Sequence, residues 1–450
     1  MTNTTLLTSK TNWRDMSLLL LILAYPALPF NYLPAEIYGI FNNYLYVVVI
    51  MGILAYGSYK LNFDLIKNEV NREIVITSIC LITFWFWVVC GLGISYVNGN
   101  YAAYGFVKLR NFTVLAVLPS FTLLFLINKY SDGNRFLFNL ATIWLILIII
   151  THIVYLFIIL KGSYNLSFLL TNRLNSNYLL YLVGIDRSKH FFSNPIWISR
   201  QISYCLLIFA FVSLWYPYYK RILCLISFLT GLFLMIWAGS RGPIIAFLCG
   251  LTYLISKRGL SKSYKQLIIF AVIGLILIFT IIAIVGNASN IRLFYKSLEI
   301  IKGRSLAEKN FIRLKLYKNV ITYKNYTTAN IYGLGLGSYD LHSDNIKIDA
   351  TDFHYRYPHN IILEIFFELG WIGIFLFICG FVILPIYLYR VSAYKTDFII
   401  VSIAIYICVF INSLFSGDLK GNEMLPKMLI LLSVAVINAK NIRQNDQRDY

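Results

Sequence analysis

The sequence predicts an all-α, polytopic membrane protein, and three observations carry that prediction. Of 450 residues, 59% are hydrophobic and 13% are charged, with a mean hydropathy of +0.69. A soluble domain does not have this composition. Many apolar runs approach the roughly 20 residues that cross a bilayer as a helix. Lysine and arginine then recur in alternate short loops, the pattern that orients membrane helices. The weak alternation of a membrane β-barrel is missing.

About twelve spans are expected, at 16–33, 38–59, 74–97, 107–127, 136–160, 196–216, 220–238, 243–256, 266–285, 361–389, 397–415 and 424–439. The eighth and twelfth are short. The run after Lys10 and Arg14 lacks a small-residue cleavage pattern and is expected to remain as the first span. The loops carrying Lys60, Lys67 and Arg72, Lys129 and Arg135, Lys220 and Arg221, Lys257 to Lys265, and Arg390 and Lys395 fall on one side. Both termini are therefore expected in the cytoplasm. The chain reads as a single integral membrane domain, 1–450, with a smaller external loop at 161–195 and a large one at 286–358.

The large loop holds eleven Lys/Arg against six Asp/Glu, which suits an anionic substrate or lipid headgroups. The formal net charge of +19 otherwise follows from the loop asymmetry, and no recognition motif points to nucleic acid. All seven cysteines fall inside apolar spans, so no disulfide framework or cysteine metal site is expected. There is no phosphate-binding loop of the ATPase type. His342 and His354, near Asp340, Asp344, Asp349 and Asp352, fit no metal-ligand spacing, and no metal is expected.

Four clusters carry candidate chemistry. Gly239-Ser240-Arg241-Gly242-Pro243 makes a minimal external turn. Proline explains the helix start, while arginine there matches the oxygens of a phosphate. Arg200 lies in the first turns of its span, where snorkelling to headgroups competes with anion binding. Lys108 and Arg110 are weaker candidates of the same kind. In the large loop, Phe311, Leu314, Tyr317 and Ile321 recur at helical spacing, and Arg304 and Arg313 there are candidate phosphate contacts. Gly333 to Gly337 permits positive φ and close backbone approach but is a weak signal alone.

The fourth cluster is Tyr357-Pro358-His359-Asn360, followed by a very apolar helix. Asn360, Glu364 and Glu368 are spaced by four and share a helix face. His359 is placed in the first turn, where the positive helix end favours a neutral imidazole able to accept a proton. A histidine satisfied at a helix cap, with its glutamates paired to basic groups, is the competing reading. Carboxylates in a membrane helix usually face protein or a wet cavity.

The order GSRGPIIAF, large external loop, IYGLGLGSY, YPHNIILEIFFELGWIGI resembles the O-antigen ligase and polymerase superfamily, over roughly 190–390. Phe415-Ser416-Gly417-Asp418 followed by Asn422 is similar to a segment of O-antigen and capsule polymerases, which favours the polymerase branch. The resemblance implies a GT-C-like glycosyltransferase of the bacterial cytoplasmic (inner) membrane, with its active site facing the periplasm and no cofactor. Its substrates are undecaprenyl-pyrophosphate-linked glycans, and its partners are membrane lipids and a polysaccharide chain-length regulator. His359 corresponds to the base, Arg200 and Arg241 to pyrophosphate ligands, and Arg313 to the loop arginine, while Arg304 is a further candidate pyrophosphate contact by its place in the basic loop. Glu364 would orient the catalytic group, and Tyr357, Asn360 and Ser240 would contact substrate. A ligase passing the glycan to lipid A core or protein is the alternative. A polysaccharide transporter is the reading from a different class.

Overall fold

The computed structural model describes residues 72–99, 103–127, 139–143, 195–212, 218–237, 241–258, 331–342, 358–392, 396–415 and 418–448, with 146, 149, 317, 320 and 321. The expected spans at 16–33, 38–59 and 266–285 lie outside the described residues, as do the 161–195 loop up to residue 194 and most of the large loop. Among the described residues every regular element is helical.

The helices are α1 (Arg72–Val97), α2 (Ala103–Asn111), α3 (Leu118–Ile127), α4 (Pro195–Val212), α5 (Tyr218–Trp237), α6 (Arg241–Arg258) and α7 (Ser338–His342). They continue with α8 (Ile361–Ile378), α9 (Leu384–Val391), α10 (Asp397–Phe415) and α11 (Met424–Arg448). Short π segments, Phe112–Val117 and Cys379–Ile383, join α2 to α3 and α8 to α9. Among the described residues four stretches are long and apolar enough to cross a membrane: Arg72–Val97, Ala103–Leu123, Ile361–Val391 and Asp397–Phe415. This is a helical membrane protein.

Both π segments run up to or into a proline, Pro119 and Pro385. Proline removes one donor from the helix ladder and crowds the carbonyl four residues earlier. For Pro385 that carbonyl belongs to Phe381, and the Tyr406 hydroxyl on α10 donates to it at 2.6 Å. The lost backbone bond is replaced across the helix interface, as a lipid environment demands.

The layers follow from which faces are apolar all round. On α11 nearly every side chain from Met424 to Val436 is buried, and α10 is buried over most of its length. These two helices form the centre. α10 packs against α6, α4 and α11, while α11 also meets α1 and α3, and α8 lies on α1. On α1, Thr77, Leu81, Phe84, Val88 and Gly91 face inward, whereas Val75, Ile79, Ile82 and Phe86 are exposed. An apolar stripe on each face is what a helix between protein and lipid requires. All seven cysteines lie in helical segments, Cys379 in the second π segment, and none is in a disulfide.

A break in α8 shapes the site end of the bundle. Gly370 has φ +67 within the helix, which releases neighbouring backbone carbonyls from the ladder. Each finds another donor: Leu334 N–H bonds to Phe367 O at 3.0 Å and Gly335 N–H to Glu368 O at 2.9 Å. The Trp87 indole N–H bonds to Leu369 O at 3.0 Å. Ile372 N–H in turn bonds to Ile331 O at 3.2 Å. The glycine run is therefore a strap wedged against the kink, and Leu336 N–H ties it to Gly91 O on α1 at 2.8 Å. Val320, Leu334, Tyr339 and Phe367 form a small apolar cluster over it, with Tyr317 packed alongside. Irregular backbone at such depth persists where protein satisfies it.

Space explains glycine at two positions. A Cβ on Gly335 (φ +100) would stand 2.3 Å from the Ser95 Cα, and one on Gly370 would stand 2.4 Å from Gly333 N and Ile331 O. Gly335→Ala and Gly370→Ala should each destabilise the protein by about 1–3 kcal/mol through overpacking and strain. Gly93→Ala, with nothing within 4 Å, should be neutral or slightly stabilising. Thermal unfolding midpoints in detergent check the ordering, and equal midpoints for all three would contradict the wedge.

Candidate functional site

The ends of the helices at one pole of the bundle converge on a cluster of buried charge. α8 supplies the first arm. Asn360 has extended backbone, φ −148 and ψ 120, and is the N-cap. Its side-chain oxygen accepts from Ile362 N–H at 2.9 Å and Leu363 N–H at 3.2 Å, satisfying two of the donors that a helix start leaves open. His359 therefore precedes the helix rather than sitting in its first turn. It has φ +58, a left-handed conformation that is uncommon for a residue with a Cβ and that concentrates at functional sites.

One and two turns into α8, Glu364 and Glu368 are both buried. Their partner is Lys108 in the second turn of α2, fully buried, whose Nζ donates to Glu364 Oε1 at 2.5 Å and Glu368 Oε1 at 2.6 Å. Lys108 is thus held between carboxylates, whereas Arg110 is exposed and bonds to Asn111. Removing one member of such a buried set strands the others and costs about 3–5 kcal/mol.

The second arm is the turn between α10 and α11. Glu364 Oε2 accepts from Leu419 N–H at 2.9 Å. Asp418 Oδ1 accepts from Gly421 N–H at 2.9 Å, Asn422 Nδ2 donates to Asp418 O at 2.8 Å, and the Tyr104 hydroxyl donates to Asp418 Oδ2 at 2.6 Å. Arg200, buried in the first turns of α4, closes the arm. It donates to Gly421 O at 3.1 Å and Asn412 O at 3.1 Å, with Asn422 Oδ1 at 3.5 Å. One guanidinium fork spans the end of α10 and the following turn, a geometry lysine cannot copy.

Arg241 opens α6, and the next residue, Gly242, lies against Phe415 at the end of α10, where a Cβ would meet the Phe415 Cβ at 3.1 Å. The start of α6 is therefore at the same pole as Arg200 and the 418–422 turn. Ser240, Arg304, Arg313 and Tyr357 lie outside the described residues.

Several site groups were not singled out by sequence reasoning. Tyr104 and Glu423 are two, and the role of Lys108 as an ion-pair hub is a third. Glu423 is buried ahead of α11; burial raises its carboxyl pKa, and Lys427 and Arg200 pull it back. His342 on α7 lies 6.3 Å from the Phe367 ring, and burial lowers its pKa. The signal for Lys108 was present: a lysine inside an apolar helix needs a buried counter-charge, and two carboxylates on another apolar helix need a cation.

A helical membrane protein with a buried charge cluster at one pole is the class these features define. Residues 225–378, about a third of the chain, match the Wzy_C family model, described as O-antigen ligase. This match supports the O-antigen polymerase and ligase superfamily for the chain. The matched stretch includes Arg241, the glycine strap, His359, Glu364 and Glu368; Lys108, Arg200 and Asp418 lie outside it. Comparison with curated proteins finds no match.

The cap separates two roles for Asn360. Asn360→Ala should lower stability by about 1 kcal/mol, and Asn360→Asp should keep the cap. If Asn360 acts only as a cap, the aspartate variant keeps wild-type activity. Normal stability with lost glycan product in that variant would assign Asn360 to the substrate.

Proposed function

We propose that this protein polymerises undecaprenyl-pyrophosphate-linked oligosaccharide repeat units into O-antigen or capsular polysaccharide at the outer face of the cytoplasmic membrane. The observation that carries the reading is the convergence of three features at one pole. They are the His359 step, the start of α6 at Arg241 and the Arg200-bound turn. Two of the three lie inside the stretch that matches the family.

The donor in this reading is a growing chain on undecaprenyl pyrophosphate, and the acceptor is the non-reducing end of a new lipid-linked repeat. An acceptor hydroxyl oxygen bonds to the anomeric carbon of the donor as the bond from that carbon to the pyrophosphate oxygen breaks. His359 takes the hydroxyl proton. The electron pair leaves on the pyrophosphate, where Arg241 and Arg200, aided by Arg313 and Arg304 of the large loop, stabilise the growing charge. Pyrophosphate leaves without a protonating acid, so the carboxylate pair of glycosidases is not needed. Glu364 orients the base helix, and Ser240, Tyr357 and Asn360 contact sugar. The basic character of the large loop favours anionic lipid headgroups beside the site. A chain-length regulator is the expected protein partner.

The description of the matching family favours a second reading, in which the same donor is transferred to lipid A core or to protein. The groups in the reaction are unchanged; the acceptor differs.

Deleting the gene and complementing it separates these readings. A polymerase predicts surface glycan of one repeat in the deletion strain, with a ladder restored by wild type and not by His359→Ala. A ligase predicts loss of surface glycan with retained lipid-linked polymer. Arg241→Ala should lower product formation by about 100-fold, and Arg241→Lys should also impair it, because fork geometry matters as well as charge. A full ladder from folded Arg241→Ala would remove the electrostatic claim.

A further inference from the structure

We propose that Lys108 is a positioning residue that fixes the His359 step relative to the turn holding Arg200. The proposal rests on the glycosyl-transfer reading above and adds a group outside the family-matched stretch.

The connections run through one carboxylate. Glu364 Oε1 accepts from Lys108 Nζ, and Glu364 Oε2 accepts from the Leu419 amide. Glu364 thus joins α8, which begins directly after His359 and Asn360, to the 418–422 turn. That turn is held closed by Asp418, and Arg200 grips it through Gly421 O. α2 holds both arms at once. Lys108 binds Glu364 and Glu368, and Tyr104, one turn earlier, binds Asp418. The Lys108 ammonium lies 5.1 Å from the Tyr104 ring centroid, close enough for a cation–π contact.

Charge makes Lys108 the controlling member. Glu364, Glu368 and Asp418 are all buried, and carboxylates taken out of water together repel unless a cation lies between them. Lys108 has no exposed surface, so its effect on a reacting group is exerted through Glu364. Without its cation Glu364 loses the charge-assisted geometry that aims Oε2 at Leu419, and the two arms separate. A small displacement of a base from its acceptor costs orders of magnitude in rate.

The test uses the full chain in lipid nanodiscs, with lipid-linked repeat units extracted from the deletion strain as substrate. Hydrogen exchange over 418–423 reads the turn, and initial rates read kcat and KM. Lys108→Met should expose the Leu419 amide to exchange and lower kcat on the order of tenfold or more, with KM within about threefold. Glu73→Gln, in the Lys440 pair at the opposite pole, should move neither reading. If Lys108→Met does not fold, Lys108→Met/Glu364→Gln/Glu368→Gln removes the two carboxylates that Lys108 pairs. Asp418 keeps its bonds from Tyr104 and Gly421, and the side-chain amide oxygen at 364 can still accept from Leu419. In either variant turnover must follow protection, so that a protected turn is active and an unprotected turn is slow. Wild-type turnover with an unprotected turn, slow turnover with a protected one, or wild-type values of both in Lys108→Met would overturn the proposal. No glycosidic bond formed by the wild type would instead sink the glycosyl-transfer reading, while the exchange data would still show whether Lys108 holds the turn.

Discussion

Lys108, enclosed by Glu364 and Glu368, is the interaction on which the site end of the bundle depends. An unpaired charge in an apolar interior costs several kcal/mol, so these residues are compatible with the fold only together. Meeting that constraint brings α2 against α8. It also leaves one Glu364 oxygen for the Leu419 amide, which places the α10–α11 turn and, through it, Arg200. A single electrostatic requirement therefore sets the relative positions of three segments distant in sequence. The opposite pole repeats the device more simply, with Glu73 on α1 paired to Lys440 on α11.

The second constraint is backbone satisfaction. α8 is broken at Gly370 in a stretch that otherwise reads as one long apolar helix, and the break is stable because the 331–337 strap supplies donors to the freed carbonyls. The strap makes residues 331–337 part of the packed protein. It also fixes the depth of α8, and with it the height of Glu364 and of the His359 step. His359 itself keeps a left-handed backbone just ahead of the Asn360 cap.

Much of this was legible from apolar run length alone. The run at 397–415 coincides with α10, and those at 74–97 and 361–389 fall within two residues of the ends of α1 and of the α8–α9 stretch. The short run at 424–439 was hard to read, because Lys427 and the polar tail dilute its hydropathy, yet α11 continues to Arg448 and is buried throughout Met424–Ile437. The start of α2 was placed four residues late because Tyr104 and Gly105 look like loop. Glu364 and Glu368 were legible by their spacing as charges on one helix face, and their pairing to Lys108 matches the competing reading in which they meet a basic group. That they need a cation was legible too, and Lys108 needs a counter-charge, but which residue meets which was not, since 256 positions separate Lys108 from Glu364. The glycine run looked weak for a related reason: a glycine that permits close approach is informative once the approaching atom, here Ser95, is known.

The central claim is that the protein makes a glycosidic bond at the expense of a lipid pyrophosphate linkage. The most direct measurement mixes purified protein in nanodiscs with lipid-linked repeat units, without nucleotide sugar, and quantifies both products. The account predicts one undecaprenyl pyrophosphate released for each new linkage, with glycan chains lengthening by whole repeats. Lengthening without release of the lipid pyrophosphate, or movement of the substrate across the membrane with no new bond, would contradict it.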